Sequence, residues 1–227
     1  MIQVRDLMKI YHTGDMEVRA IDGVNLEIEE EEFVAVIGKS GSGKSTLLHL
    51  LGGVDRPTDG VVMIHGENIY EYQDRELSKF RRQRVGFVFQ SYNLVPKLTV
   101  EENIWMPFML QGKKYVKEKL KEERERVSCL ADMMGISDKM KSLPSELSGG
   151  QMQRAAILRA LINRAKLLLC DEPTGNLDFE SGEEVMRILQ QVRQEEKCSV
   201  VVVTHDQLVA DSADRIIQIQ SGRIKCK

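Results

Sequence analysis

An α/β fold built on a parallel sheet follows from three features of the sequence. Short apolar runs recur between stretches of helical spacing. One of them, Phe33-Val34-Ala35-Val36-Ile37, ends directly in a glycine-rich string. Another, Leu167-Leu168-Leu169-Cys170, ends in two carboxylates. Strands that alternate with helices pair in parallel, and strands buried on both faces read as continuous apolar runs. The chain has 227 residues, 42% hydrophobic and 30% charged, with a formal net charge of −3. That is a folded, globular composition, and its charge balance argues against sequence-independent DNA binding, which needs a basic stripe. No apolar run approaches a membrane span, and the first residues lack the apolar core of a signal peptide, so the chain is expected to remain in the cytosol. Cys129, Cys170, Cys198 and Cys226 lack metal-ligand spacing and read as reduced, isolated thiols.

Taken in order, Ile2–Met8 and Val24–Glu30 alternate with period two and read as half-buried strands. Phe33–Ile37, Val85–Phe89, Leu167–Cys170 and Val200–Val203 read as buried strands. Thr99-Val100-Glu101-Glu102 is a capping-box pattern that starts a helix near Val100. Lys113–Arg126 is dense in charge, while Val116, Leu120, Val127, Leu130 and Met134 form one apolar stripe, so the charged residues read as a solvated helix face. Ser148 precedes a further helical pattern, Gly149–Asn163. The region from Ser91 to Ala165 therefore reads as a helical subdomain inserted into the α/β core.

The string Gly38-Lys39-Ser40-Gly41-Ser42-Gly43-Lys44-Ser45-Thr46 fits G-x-x-x-x-G-K-[ST] and lies between a strand and a helix, the context the motif needs. Its glycines let backbone N–H groups turn inward, and the following helix presents its positive end to phosphates. Lys44 can bridge the β- and γ-phosphates, and the Ser45 hydroxyl can ligate Mg²⁺. His49, in the helix that follows, reads as a packing residue. Asp171 can hold Mg²⁺ through water, and Glu172 can orient or deprotonate an attacking water; neighbouring residues leave a strand on opposite faces, so the two need not point the same way. Two surface acids capping a strand would look similar alone, and the phosphate loop decides between the two. Gln90 and His205 end other strands at the same sheet edge, where ligands of open α/β sheets bind. His205 could reach a γ-phosphate or the attacking water, and the Gln90 amide could sense Mg²⁺ or water without adding charge.

With Leu147-Ser148-Gly149-Gly150-Gln151 and Asn176-Leu177-Asp178 added in this order, the whole chain closely resembles the ATP-binding subunit of an ABC transporter. The resemblance implies a single ATPase domain over 1–227 with the P-loop NTPase fold of that family. That fold has a mostly parallel core sheet, an antiparallel β part and an inserted α-helical subdomain, with the core in 1–90 and 166–227 and the helices in 91–165. It implies that Tyr11 stacks on adenine, that 38–46 cradles the phosphates, and that Ser45, Gln90 and Asp171 serve Mg²⁺. Lys44, Gln90, Glu172 and His205 become the catalytic set. Residues 147–151 become a signature segment that closes over ATP held by a second copy, and 176–178 an intersubunit loop. Ser148 is a good N-cap, and Gly149 and Gly150 permit close backbone approach.

Three strings resemble the MacB/LolD/FtsE-type branch more narrowly: Met16-Glu17-Val18-Arg19-Ala20, Leu98-Thr99-Val100-Glu101-Glu102-Asn103-Ile104, and Asp171 to Asp178. That implies ATP and Mg²⁺, a homodimer around two ATP, no nucleic acid, and a separate FtsX/MacB-like permease at the cytoplasmic face of the membrane. Branch members serve peptide, antibiotic or lipoprotein export, resistance, or mechanical control of cell-wall enzymes. An FtsE-like regulatory ATPase that gates a membrane partner without moving cargo is the alternative. Repair and translation ATPases share the motifs, but the stretch from Gln90 to Leu147 has no room for a long arm and there is one ATPase unit. Tyr92, Leu94, Val95, Leu98, Trp105, Met106 and Met109 are expected to line a groove for a permease helix. Glu31, Met152, Ala165 and Cys170 depart from the family pattern without removing a catalytic group.

Overall fold

The computed structural model describes residues 1–14 and 16–225; the expected Cys226 thiol lies outside them. The elements are β1 (Ile2–Thr13), β2 (Met16–Ile28), β3 (Phe33–Ile37), α1 (Lys44–Leu51), β4 (Asp59–Ile64), β5 (Glu67–Asn68), α2 (Asp74–Arg84), β6 (Val85–Phe89), α3 (Val100–Met109), α4 (Lys113–Met133), α5 (Gly149–Leu161), β7 (Leu167–Asp171), α6 (Phe179–Glu196), β8 (Ser199–Thr204), α7 (Gln207–Asp211), β9 (Arg215–Gln220) and β10 (Arg223–Ile224). Single 3-10 turns at Ser137–Lys139 and Pro144–Glu146 lead into α5.

Two sheets form. One is antiparallel, in the order β2-β1-β4-β5; the other runs β10-β9-β3-β8-β7-β6, parallel except for the β9–β10 hairpin. β1 and β2 are longer than their alternation suggested, and they form one hairpin that closes at Thr13 and Met16. The alternation fades for a local reason. Ile2 and Val4 are buried, the next buried residue is Leu7, and Asp6 between them takes φ 46 where the register shifts. A bulge adds one residue and flips the parity of the faces.

The buried strands of the parallel sheet divide their side chains between two cores. Leu167, Leu169, Val201 and Val203 face the antiparallel sheet, with α1 held between the two sheets by Leu47, Leu48, Leu50 and Leu51. Leu168, Cys170, Val200 and Val202 face the opposite way, onto α3, α4, α5 and α6. Each fully buried leucine contributes about 1.5–3 kcal/mol. The stretch between β6 and β7 supplies only helices, and it shares its apolar core with the sheet. α3 begins at Thr99 with the expected reciprocal cap: Glu102 N–H donates to Thr99 Oγ1 (3.2 Å), and Thr99 N–H donates to the Glu102 carboxylate (2.8 Å). Glu31 takes φ 58, so the turn before β3 keeps the left-handed geometry that glycine favours, with a side chain in its place. Cys170 and Cys198 are buried and Cys129 is exposed; burial pushes the Cys198 thiol up to about 12.

The solvated face expected over 113–126 holds for most of its charges but not for Glu123, which is 1% exposed. Arg126 Nε reaches Glu123 Oε2 at 2.7 Å and Arg164 Nε reaches Oε1 at 2.7 Å. Arg126 also meets Glu196 Oε2 (2.9 Å) and donates to the carbonyls of Leu161 and Ile162. A carboxylate can be buried when cations and hydrogen bonds surround it, and removing one partner strands it. Arg126→Ala is therefore expected to destabilise the fold by about 3 kcal/mol, read as a lower urea midpoint at unchanged m-value. A shift within error would show that Arg164 suffices.

Candidate functional site

β3, β7 and β8 are adjacent and parallel, so Ile37, Asp171 and Thr204 leave the sheet at the same edge. The loop 38–43 follows β3, and Gly43 N-caps α1 at φ 103 with no side chain bonded to the cap. A Cβ on Gly43 would lie 2.2 Å from the Ala20 carbonyl oxygen, and one on Gly38 would lie 2.3 Å from that of Ile219. The loop can take this path only with hydrogen at those positions, and its N–H groups and the α1 N-terminus stay available to an anion. Lys44 is 8% exposed; its Nζ donates to the carbonyls of Gly38 (2.9 Å) and Lys39 (3.3 Å), curling over the loop. Ser42 Oγ is buried without a hydrogen-bond partner. Lys39, Ser40, Gly41 and Ser42 border a recess whose other wall is Gln218–Ser221 with Lys225.

Ser45 Oγ donates to Asp171 Oδ1 at 3.0 Å, bringing the two predicted metal-binding groups together. A hydroxyl beside a carboxylate is an oxygen-only pair that suits Mg²⁺, which takes few protein ligands and completes its shell with phosphates and water. Among the described residues no group of three or more His, Cys, Asp or Glu is placed for a metal. Glu172 diverges from Asp171, as strand alternation allows. Its backbone takes φ 47, and its carboxylate oxygens lie 2.9 and 3.0 Å from His205 Nδ1, within hydrogen-bonding distance. A non-glycine residue in the left-handed region costs about 1–2 kcal/mol, and such cost collects at functional positions. Here the amide of Glu172 is held by the Val203 carbonyl (2.9 Å) and its own carbonyl by the Gly175 N–H (3.0 Å).

Gln90 lies with the loop after β7 and not with the Ser45–Asp171 pair. Its Nε2 donates to Asn176 Oδ1 (3.4 Å), and Asn176 Nδ2 returns a bond to the Gln90 carbonyl (3.0 Å). Tyr92 and Asn93 both take positive φ, and their carbonyls are held by Arg159 of α5. Arg159 carried no sequence signal for that task. Asp178 caps α6 through the Ser181 N–H (2.9 Å), and Leu177 packs near Gly149. Ser148 caps α5 reciprocally with Gln151. Among the described residues no hydrogen bond joins 147–151 to 38–46. Thr46 lies beside the Tyr11 phenol, which donates to Asp55 Oδ2 at 2.7 Å. Burial opposes ionisation of Asp55, but bonds from Lys9, Tyr11 and the Arg56 N–H outweigh it and hold its pKa below the usual range.

The residues expected to line a permease groove differ in exposure. Trp105 is buried against Phe108, Leu94 packs onto the helical core, and Met109 is exposed. A separate groove of about 500 Å³ lies between β6 and α3, with Val54, Phe87, Phe89, Pro107 and Leu110 among its lining and Arg81, Arg82 and Arg159 at its edge. None of the seven residues expected to meet a permease helix lines it.

A family model described as "ABC transporter" matches residues 21–175. An uncharacterised ABC transporter ATP-binding protein of Thermotoga maritima is 45% identical over 99% of this chain and 93% of its own length. LolD of Shewanella frigidimarina, the ATP-binding protein of a lipoprotein-releasing system, is 39% identical over 98% and 91%. MacB of Brucella melitensis, a macrolide export ATP-binding/permease protein, is 43% identical over 99% of this chain, which spans only 34% of MacB. Two solved structures of MJ0796, a bacterial ABC transporter cassette, superpose with TM-scores of 0.88 and 0.87 at 39% identity, covering 100% of this chain and 97% of theirs; both are dimeric, and the second is a post-hydrolysis state bound to ADP and Pi.

Proposed function

This chain belongs to the ABC transporter family as an ATP-binding cassette, and from that premise we propose that two copies close around two MgATP and drive a separate FtsX/MacB-like permease. The observation that carries the reading is the meeting of the curled Lys44, the Ser45–Asp171 pair and the Glu172–His205 pair at one sheet edge. In this reading 38–46 binds the triphosphate, and Ser45 and Asp171 would hold Mg²⁺, joined by Gln90 once its side chain leaves Asn176; the ion would neutralise charge on the phosphates. Glu172 orients water for in-line attack at the γ-phosphorus and takes its proton as the bond to ADP breaks. His205 holds the Glu172 carboxylate and contacts the transferred phosphoryl group. Lys44 balances charge on that group.

The free N-terminus of α5 supports a half-site completed by a second copy. Its dipole and N–H groups suit a γ-phosphate, and nothing in its own chain's phosphate loop is bonded to it. Asn176, Leu177 and Asp178 would then meet the partner. Ser148→Arg subunits are expected to bind ATP near normally and to release phosphate at least about 100-fold more slowly, because the arginine fills the closing half-site. Turnover at the normal rate would remove 147–151 from that role. Residues 91–165 act as the arm that carries this segment toward or away from the partner.

Among the described residues no helix is long and apolar enough to cross a membrane. In this reading the permease lies on another polypeptide or segment and holds the cassette at the cytoplasmic face. The groove between β6 and α3 fits a short permease helix by its apolar floor and basic edge. Arg82, whose Nε is buried without a hydrogen-bond partner, stands at that edge. Arg82→Glu is expected to lower co-purification of the permease severalfold while leaving ATPase of the isolated cassette unchanged. Equal recovery of the complex would move the docking surface elsewhere.

A further inference from the structure

Tyr11 is held by a cluster that no motif announces. Lys9 and Tyr11 are two residues apart on β1 and so share a face. Both point at Asp55, in the loop after α1. Lys9 Nζ meets Asp55 Oδ1 at 2.7 Å and donates to the Arg56 carbonyl at 2.7 Å. Asp55 Oδ1 also accepts from the Arg56 N–H (2.7 Å), and Oδ2 accepts from the Tyr11 phenol (2.7 Å). The same loop is laced to β1 on both sides of Lys9: Thr58 N–H donates to the Met8 carbonyl (2.8 Å), and Ile10 N–H donates to Thr58 Oγ1 (2.9 Å). Lys9 Nζ stands over the Tyr11 ring, 4.8 Å from its centroid, within the range of a favourable cation–π contact. The Lys9 side chain is only 13% exposed, whereas Tyr11 is 38% exposed.

We propose that Lys9 and Asp55 are positioning residues for adenine: they lock the Tyr11 ring so that the face turned away from the ammonium is presented to the base. The inference rests on the reading of Tyr11 as the adenine-stacking residue. Two physical effects follow. The carboxylate fixes the ring through its hydroxyl, so less side-chain freedom is lost when the base arrives. The ammonium on one face draws electron density from the ring, which favours stacking of an electron-rich purine on the other. The clamp also ties the ring to the end of α1, the helix whose first turn carries Lys44 and Ser45. One element therefore sets the distance from base to phosphates.

The test uses the purified cassette with three probes: MgATP binding, Mg-tripolyphosphate binding, and steady-state ATPase. Asp55→Asn and Tyr11→Phe are each expected to weaken ATP binding about fivefold, equivalent to about 1 kcal/mol. The double variant should be no weaker than either single, since hydroxyl and carboxylate act as one unit. KM should rise with kcat within about twofold, tripolyphosphate affinity should stay at the wild-type value, and Asp55→Glu should restore part of the loss. Lys9→Met should weaken ATP binding and leave tripolyphosphate untouched. Equal weakening of ATP and tripolyphosphate would mark a merely structural role and overturn the proposal. Wild-type ATP affinity in Asp55→Asn and Tyr11→Phe, together with a loss in Tyr11→Ala, would overturn the clamp and leave the stacking role standing. Wild-type affinity in Tyr11→Ala would remove the stacking role itself.

Discussion

Glu172→Gln is expected to cut ATP turnover by at least about 100-fold while ATP still binds, because a positioned general base contributes about that much or more. The amide has the shape of the carboxylate and can keep a hydrogen bond to His205 Nδ1, now 2.9 Å from Glu172. It cannot take a proton from water. The backbone at φ 47 is no harder for glutamine than for glutamate, so stability should change by less than about 0.5 kcal/mol. If phosphate release is what lets two copies part, the variant should accumulate as a dimer in MgATP. Light scattering and phosphate release measured on the same sample check both halves. A variant that turns over at the normal rate would take Glu172 out of the reaction. One that is slow yet stays monomeric would separate hydrolysis from pairing.

The second large effect is at Lys44. Lys44→Ala removes a charge that sits within 2.9 and 3.3 Å of two loop carbonyls and above the α1 N-terminus. Charge-assisted hydrogen bonds are worth about 1.5–3 kcal/mol each, so ATP affinity should fall by about 10- to 100-fold. Part of that loss comes from the loop, whose curl the ammonium supports. A direct ATP titration read alongside thermal unfolding separates the two. Retained affinity would contradict the cradle, and an unfolded variant would show that the ammonium is needed chiefly to hold 38–43 in place.

Much of this site was legible because its parts are contiguous. The residues of 38–46 follow one strand and start one helix, and their chemistry depends on neighbours in the chain. Phe33–Ile37 and Val85–Phe89 were read with the boundaries they have in the fold, since a strand buried on both faces needs an uninterrupted apolar run. The caps at Thr99 and Ser148 likewise close within four residues. β4, α2, α6 and β9 carried weaker local signals and were not assigned from sequence. α2 is polar over most of its surface and buries only Leu77 within the helix. β4 is partly exposed and pairs with β1, far away in sequence.

The sequence by itself determined the chemistry at the strand ends, a phosphate loop, two adjacent carboxylates, a histidine and a glutamine, and the capped glycine pair that opens α5. Those identities follow from side-chain type and spacing, which tertiary packing does not alter. The fold decided which of them meet. Asp171 went to Ser45 and Glu172 to His205, whereas Gln90 went to Asn176. It also buried Glu123 beneath two arginines, buried Trp105 against Phe108, and set Lys9 and Asp55 against Tyr11. Apart from Glu123 with Arg126 and Trp105 with Phe108, each one helical turn apart, such contacts join residues tens to more than a hundred positions apart. Their partners are chosen by how sheets, helices and cores pack, so no local pattern encodes them.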